Sequence, residues 1–244
     1  MICSVEKILD NVEIRKGIFK ISIEGKYEAK PGQFYMLKVE GENILLPRPI
    51  SVYDCTENYI SFLYAVVGKG TNVMSKLSKG DNIQIMGPLG NGFEVDKIQG
   101  KIAIISGGIG IAPLHFLVKK INNSTIDFYA GFKTVDYTVD NVEKYVNNIY
   151  LSTENGSKGY KGYITDIFYP EKYDLVICCG PKIMMEKVVK MCVNKNIPVL
   201  VSMENRMACG IGACLVCTCK TKEGNLRVCK DGPVFRGEDL ILND

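Results

Sequence analysis

No apolar run in this 244-residue chain approaches the roughly 18 residues needed to span a bilayer, and Glu6 and Lys7 interrupt any secretory stretch near Met1. A cytoplasmic protein without a membrane partner is expected. Charge of one sign is also scarce: the net value is +3 and the Lys and Arg residues are scattered, so the basic footprint of a nucleic-acid binder is missing. Histidine occurs once, at position 115, where an incidental place on a helix is favoured over proton transfer. Neither internal repeats nor low-complexity segments occur. With 46% hydrophobic and 23% charged residues, disordered and collagen-like classes are excluded.

Cysteine, in contrast, is plentiful. Ten cysteines without an export signal point to metal ligation or redox chemistry more than to disulfides, because cytosolic thiols are kept reduced. Five of them cluster near the C-terminus, and Cys209, Cys214, Cys217 and Cys229 read Cys-x4-Cys-x2-Cys-x11-Cys. The first three positions match the plant-type [2Fe-2S] spacing. Gly210 and Gly212 let the backbone curl so that its N–H groups face the sulfurs, and a hairpin over Thr218 to Val228 returns Cys229 to the others. A zinc knuckle is the alternative, although zinc sites usually space their cysteines as two C-x2-4-C pairs; ordinary thiols are a third reading. Cys219 shares a strand face with Cys217 but is read as unligated. Cys3, Cys55, Cys178 and Cys192 read as small buried apolar residues.

The chain changes rhythm near Gly100. Before it, short alternating runs predict strands over Gly17–Ile23, Gln33–Val39, Ile50–Asp54, Tyr59–Val67 and Asn82–Met86, with one helix over Asn72–Leu77 capped by Thr71. After it, near-continuous apolar runs at Ile102–Ile105, Thr125–Ala130, Leu175–Cys178 and Pro198–Val201 alternate with helical stretches, the pattern of a parallel sheet covered on both faces. The fold expected is an N-terminal antiparallel β-barrel (residues 1–97), an α/β domain with a parallel sheet (98–202) and a small cysteine-bearing segment (203–244). That last segment has neither period and is expected to need something other than a core to order it.

Two loops suit nucleotide binding. Gly107 to Pro113 runs from a strand through a Gly-rich turn into a helix, where a close backbone and free N–H groups can receive a diphosphate; Gly108, Gly110 and Pro113 are its marked positions. Pro113 stands where the usual fingerprint has Gly or Ala, so a tight structural turn stays open as a reading. Cys179, Gly180 and Pro181 form a second turn after an apolar strand, and open parallel sheets bind ligands at that edge. In the first half, Arg48 and the helix opening at Gly70 and Thr71 can together face a diphosphate.

The series Arg48-Pro49-Ile50-Ser51, Gly70-Thr71, Gly87 to Phe93, Gly107 to Pro113 and Cys179-Gly180-Pro181 resembles the ferredoxin-NADP reductase superfamily over nearly the whole chain. The tail from Met203 to Cys214 is similar to the electron-transfer subunits of NAD-dependent dihydroorotate dehydrogenase. The resemblance implies FAD contacts at Arg48, Pro49, Ile50, Ser51, Leu63, Tyr64, Ala65, Gly70 and Thr71, with Arg48 and Thr71 on the diphosphate and Ser51 near the reactive edge. It departs at Ile50, where relatives often have an aromatic residue, and at Ala65, where many have Arg. It also implies NAD over the two nucleotide loops, and NAD is favoured over NADP because Lys133 stands alone after Thr125–Ala130 with Asp136 nearby.

The resemblance further implies an FMN-containing dihydroorotate dehydrogenase catalytic subunit as partner, in a heterotetramer of two copies of each. Electrons would pass between that FMN and NAD through the cluster and FAD, in pyrimidine biosynthesis. No catalytic residue for dihydroorotate itself is expected. A reductase subunit for ferredoxin, a hydrogenase or an oxygenase is the nearest alternative, and a zinc-binding or redox-sensing module the more distant one.

Overall fold

The computed structural model describes residues 1–40 and 44–241. Strands β1 (Ile2–Arg15), β2 (Ile18–Glu24), β3 (Phe34–Lys38), β4 (Arg48–Cys55) and β5 (Tyr59–Ala65) are followed by helix α1 (Lys69–Met74) and strand β6 (Asn82–Leu89). The six strands close into an antiparallel barrel in the order β1-β2-β5-β4-β3-β6. Alternate side chains point inward, as at Ile83 and Ile85 on β6, and fill the barrel with Ile21, Tyr35, Leu37 and Phe62. Strand β1 is long and was not among the strands singled out above, because Glu6, Lys7, Asp10 and Glu13 mask its apolar alternation. It nevertheless pairs with both β2 and β6 and so closes the barrel.

Helix α1 differs from the expectation. It starts three residues earlier, with Gly68 as its N-cap, and Thr71 lies within its first turn. The Thr71 hydroxyl accepts the N–H groups of Val67 at 3.0 Å and Gly68 at 3.2 Å, so it secures the turn that enters the helix from one turn inside.

The second half comprises β7 (Gly100–Gly107), α2 (Ile111–Val118), β8 (Ser124–Phe132), β9 (Asn148–Thr153), β10 (Tyr160–Lys161), β11 (Leu175–Cys179), α3 (Lys182–Val193) and β12 (Val199–Ser202). The hairpin of β13 (Thr218–Thr221) and β14 (Gly224–Arg227) follows, then β15 (Val234–Arg236). The large sheet runs β10-β9-β8-β7-β11-β12-β15, parallel except where β15 lies antiparallel on β12. Among the described residues no helix is long and apolar enough to cross a membrane.

The tail has a core after all, which corrects the expectation for it. Met207, Cys217, Val228 and Cys229 are buried in one cluster with Phe34, Met36 and Leu89 of the barrel. Gly210 sits so close to Met36 and Leu89 that a Cβ there would lie 2.8 Å from the Met36 side chain. Residues 242–244 of this segment lie outside the described residues. Two other thiols also differ from their reading: Cys3 is exposed and Cys55 half-buried, whereas Cys178 and Cys192 are buried as expected.

Helix α2 is buried along its whole length between barrel and sheet, and this places His115 in the interior. The imidazole stacks on Tyr53 with ring centroids 4.1 Å apart, and its Nδ1 lies 3.0 Å from the Tyr53 carbonyl. Asp54 and Lys119 pair beside it at 2.6 Å. Burial holds the His115 imidazole below its ordinary value, outweighing the opposing effects of the Tyr53 carbonyl and Asp54. Between the folded value and the unfolded value of about 6.5, only the unfolded chain takes this proton, so stability falls as pH drops. The expected loss is up to about 1.4 kcal/mol per pH unit below about pH 6.5. Denaturant titrations of the native chain and His115→Gln at pH 7.5 and 5.5 check this; equal pH dependence in both would exclude His115 as the cause.

Candidate functional site

Strands β7 and β11 are neighbours in register, with Ser106 beside Cys179, so their carboxyl-end loops emerge together. The first loop turns through Gly108, at φ +52°, and Gly110 into α2, whose first turn contains Pro113. The second turns through Gly180 and Pro181 into α3. A Cβ on Gly107 would lie 2.6 Å from the Pro181 ring, and one on Gly110 would run into the backbone of Cys179 and Gly180. The loops therefore lock together through missing side chains. At the crevice between the strand ends, Gly110 touches the backbone of Cys179 and Gly180, while Pro113 is buried within α2. The Cys179 side chain is fully buried, and that burial pushes its thiol well up, leaving backbone as what this residue offers the crevice.

A cavity of about 540 Å³ opens between the barrel and this crevice. That size falls in the range of small-molecule sites, about 300–1,000 Å³. Arg48, Pro49, Ile50, Ser51, Leu63, Tyr64, Ala65 and Thr71 all line it. Gly70 is buried beside them instead, the Arg48 guanidinium occupying the space a Cβ on Gly70 would need, and Arg48 also donates to the Leu46 carbonyl. Alternation along β5 divides the labour. Leu63 packs toward the α/β domain, while Tyr64 points into the barrel and donates to Asn11 Oδ1 at 3.0 Å, which leaves its backbone for the cavity.

The opposite wall went unmarked by sequence reasoning. It is built from Ile109 and Ala112 after β7, and from Met203, Glu204, Asn205, Arg206 and Met207 after β12. Glu204 presents surface to the cavity but stands amid protein on its other sides, and that burial pushes its carboxyl up. Tyr137 reaches over the Gly-rich turn, its hydroxyl 3.8 Å from the place of a Cβ on Gly108, and burial together with the Glu204 carboxylate raises its phenol. The sequence signals here were the Gly107–Pro113 turn and the resemblance carried by Met203 to Cys214, neither of which marked these side chains as a cavity wall.

The four marked cysteines meet as two pairs: Cys209 with Cys214, and Cys217 with Cys229. The first pair faces outward, Cys214 being exposed; the second is buried. Backbone amides point at the sulfurs, as Gly212 N–H to Cys229 Sγ at 3.1 Å, Cys214 N–H to Cys209 Sγ at 3.4 Å and Cys229 N–H to Cys217 Sγ at 3.4 Å. Burial acts to raise the Cys209 thiol, yet the amides of Cys214 and Ile211, the Cys214 thiol and the Ala213 amide together outweigh it and bring it down to about 6. Burial and the neighbouring Cys217 push Cys229 up to about 12. The bidentate Arg227–Asp231 pair, at 2.9 Å for each bond, braces this loop, and Arg227 also reaches the Gly212 carbonyl at 3.3 Å. Cys219 lies on the hairpin opposite Leu226, outside both pairs.

Residues 204–241 match the family described as the iron-sulfur cluster binding domain of dihydroorotate dehydrogenase B. The chain is 62% identical over 241 residues to the dihydroorotate dehydrogenase B (NAD(+)) electron transfer subunit of Clostridium acetobutylicum, covering 99% of this chain and 98% of the relative. To the corresponding protein of Clostridium perfringens it is 50% identical over 238 residues, covering 96% of each. Among solved structures, an NADH-dependent reduced ferredoxin-NADP oxidoreductase superposes with a TM-score of 0.88 at 30% identity, over 98% of this chain and 91% of that one. A ferredoxin NADP+ reductase from Neisseria gonorrhoeae shares the fold, with a TM-score of 0.62 at 17% identity over 79% and 91%.

Proposed function

The chain belongs to the electron transfer subunits of dihydroorotate dehydrogenase B, and from that premise we propose how its residues carry electrons between NAD and a catalytic partner. It is an oxidoreductase subunit of pyrimidine biosynthesis that works with FAD, an iron-sulfur cluster and NAD. One observation carries the residue-level reading. The segment Met203 to Met207 walls the cavity and continues directly into Cys209, so flavin site and cluster site share one stretch of chain. Two residues extend at most about 7 Å, which sets how far Cys209 can stand from that wall.

The donor set suits the cluster: two thiol pairs with amide N–H groups aimed at sulfur match two irons taking two thiolates each, as Cys209, Cys214, Cys217 and Cys229 would supply. The cavity offers an apolar bed for a flavin ring beside the Arg48 guanidinium. Arg48, held beside Gly70, would take the diphosphate; Thr71 shapes the loop there, and Ser51 stands near the reactive edge. Leu63, Ala65, Pro49 and Ile50 supply the apolar bed, and Tyr64 its backbone. FAD, when bound, exchanges a hydride with nicotinamide and single electrons with an iron-sulfur cluster. NAD would lie over Gly108, Gly110 and Pro113, with the N-terminus of α2 facing its diphosphate, and against Cys179, Gly180 and Pro181.

Around Cys214 the surface is apolar, with Ile211, Leu215 and Val216 exposed by 48%, 62% and 55%. Leu215 also holds φ +61°, a left-handed conformation that costs a non-glycine residue energy and is kept where function needs the loop shape. This face is assigned to the catalytic subunit, which would carry FMN and assemble with this chain two by two in the cytoplasm. The barrel, the α/β domain and the cluster segment are taken as residues 1–97, 98–202 and 203–244, the last lending β15 to the sheet of the second.

Anaerobic purification with the native partner, cofactor extraction and reduction by NADH or dihydroorotate test the reading. Flavin and iron-sulfur absorbance bleached by either reductant is expected. A colourless, zinc-containing protein would overturn it. Bleaching by NADH alone in the intact complex would move the partner to the ferredoxin, hydrogenase or oxygenase class.

A further inference from the structure

Strand β4 and helix α2 pack against each other, β4 bringing Pro49, Ile50 and Ser51 to the cavity wall and α2 bringing Ala112. Beyond the cavity the two elements are stapled together. An irregularity prepares the strand for this: Val52 pairs with Phe62 of β5 and Asp54 with Ser61, so Tyr53 is one residue more than the ladder needs. Such a bulge re-aims side chains. Val52 points into the barrel, whereas Tyr53 packs with the core of the α/β domain. Three links then cross the seam. His115 Nδ1–H donates to the Tyr53 carbonyl at 3.0 Å, and its ring lies flat on the phenol ring, the planes 12° apart. One turn further along α2, Lys119 Nζ donates to both Asp54 oxygens, at 2.7 and 2.6 Å, with side chains only 22% and 10% exposed. Asn141 Nδ2, from the segment after β8, donates to the Tyr53 hydroxyl at 2.9 Å. Desolvation offsets much of the Coulombic gain of so enclosed an ion pair, so what the pair contributes is defined geometry more than stability.

We infer that Tyr53 and Asp54 of the barrel, with His115, Lys119 and Asn141 of the α/β domain, are positioning residues that set the spacing between the flavin edge at Ser51 and the nucleotide carried by the Gly108–Pro113 turn. On the placement of FAD and NAD proposed above, Ser51 stands two residues before Tyr53 on one strand, and Gly110 opens the helix that carries His115 and Lys119. A shift at the staple is therefore a shift of one reactant against the other. Transfer between bound reactants is steep in distance, and a misplacement of about 1 Å can cost on the order of 100-fold in rate. Affinity for each cofactor draws instead on contacts made within one domain, and the staple leaves those in place.

The test uses the full flavin-loaded chain. Asp54→Asn combined with Lys119→Met removes both charges while an amide oxygen can still accept the Cys55 N–H that Asp54 Oδ1 holds at 2.9 Å. The double variant is expected to slow single-turnover bleaching of the flavin by NADH about tenfold or more, and to cut the long-wavelength charge-transfer absorbance between reduced flavin and NAD to about half or less. Calorimetric affinities for FAD and NAD should change by less than about threefold. His115→Phe, which keeps a ring against Tyr53 and loses the bond to its carbonyl, should give a smaller loss in the same two readouts, and it decides alone if the double variant does not fold. Native bleaching rates and charge-transfer absorbance in the folded variants would overturn the positioning role while the cofactor placement stands. A fall in NAD affinity that matches the fall in rate would also overturn it, leaving the staple a structural support. If the native chain neither binds NAD nor bleaches with NADH, the placement itself fails and the positioning role with it.

Discussion

Cys214→Ser is expected to leave NADH-driven dye reduction by the flavin-loaded chain near the native rate, while dihydroorotate-dependent NAD reduction by the assembled complex falls below about one hundredth. Cys214 is the most exposed of the four thiols and belongs to the outward pair. A serine hydroxyl is a harder, poorer ligand for a thiolate-selecting iron centre. Cys214 is not among the residues lining the cavity proposed for the flavin, so the NADH half-reaction has no reason to change. Paired assays with an absorbance measurement of the cluster decide the matter. Equal survival of both activities would remove the cluster from the path between the two substrates, and equal loss would mean that the loop had collapsed onto Met207 and the cavity wall.

Gly110→Ala is expected to lower stability by about 1–3 kcal/mol and NADH-dependent kcat/KM by about 100-fold. The added methyl would meet the carbonyl group of Cys179 and the amide of Gly180, which are backbone atoms in a sheet edge and cannot swing aside. Relief requires β7 and β11 to part at the crevice, which displaces both loops from the place proposed for the nucleotide. Gly70 provides the contrast, because the atoms a methyl would meet there belong to the mobile end of Arg48. Thermal melts and steady-state kinetics on Gly110→Ala check both parts; native-like values for both would show that the loops are looser than their packing implies.

What could be read from the sequence was what is local. The barrel and the parallel sheet announce themselves through periods of two and through apolar runs, since each residue's burial follows from its own strand. Strand β1 escaped because its charged residues sit on a barrel wall that faces water, breaking the alternation without breaking the pairing. The start of α1 moved because Thr71 secures amides that precede the helix, whereas the expectation placed it at the boundary. The same division holds at the site. Turns such as Gly107–Gly110 and Cys179–Pro181 mark themselves by composition, and their convergence follows from strand order. The wall of Ile109, Glu204 and Met207, and the docking of Cys217 and Cys229 onto Phe34 and Met36, arise where distant segments meet, and no spacing encodes that meeting.

The excursion from Met203 to Pro233 leaves and returns at one point, because Met203 N–H donates to the Pro233 carbonyl at 2.9 Å and β12 pairs with β15 just beyond. Closing a loop of roughly 30 residues costs on the order of 3 kcal/mol of chain entropy, and here the sheet pairing at its base offsets that cost. The cysteine-bearing stretch is thereby a cassette with its two ends fastened together. Both ends of that cassette are set by the host sheet, and its inner face packs on Phe34, Met36 and Leu89 of the barrel.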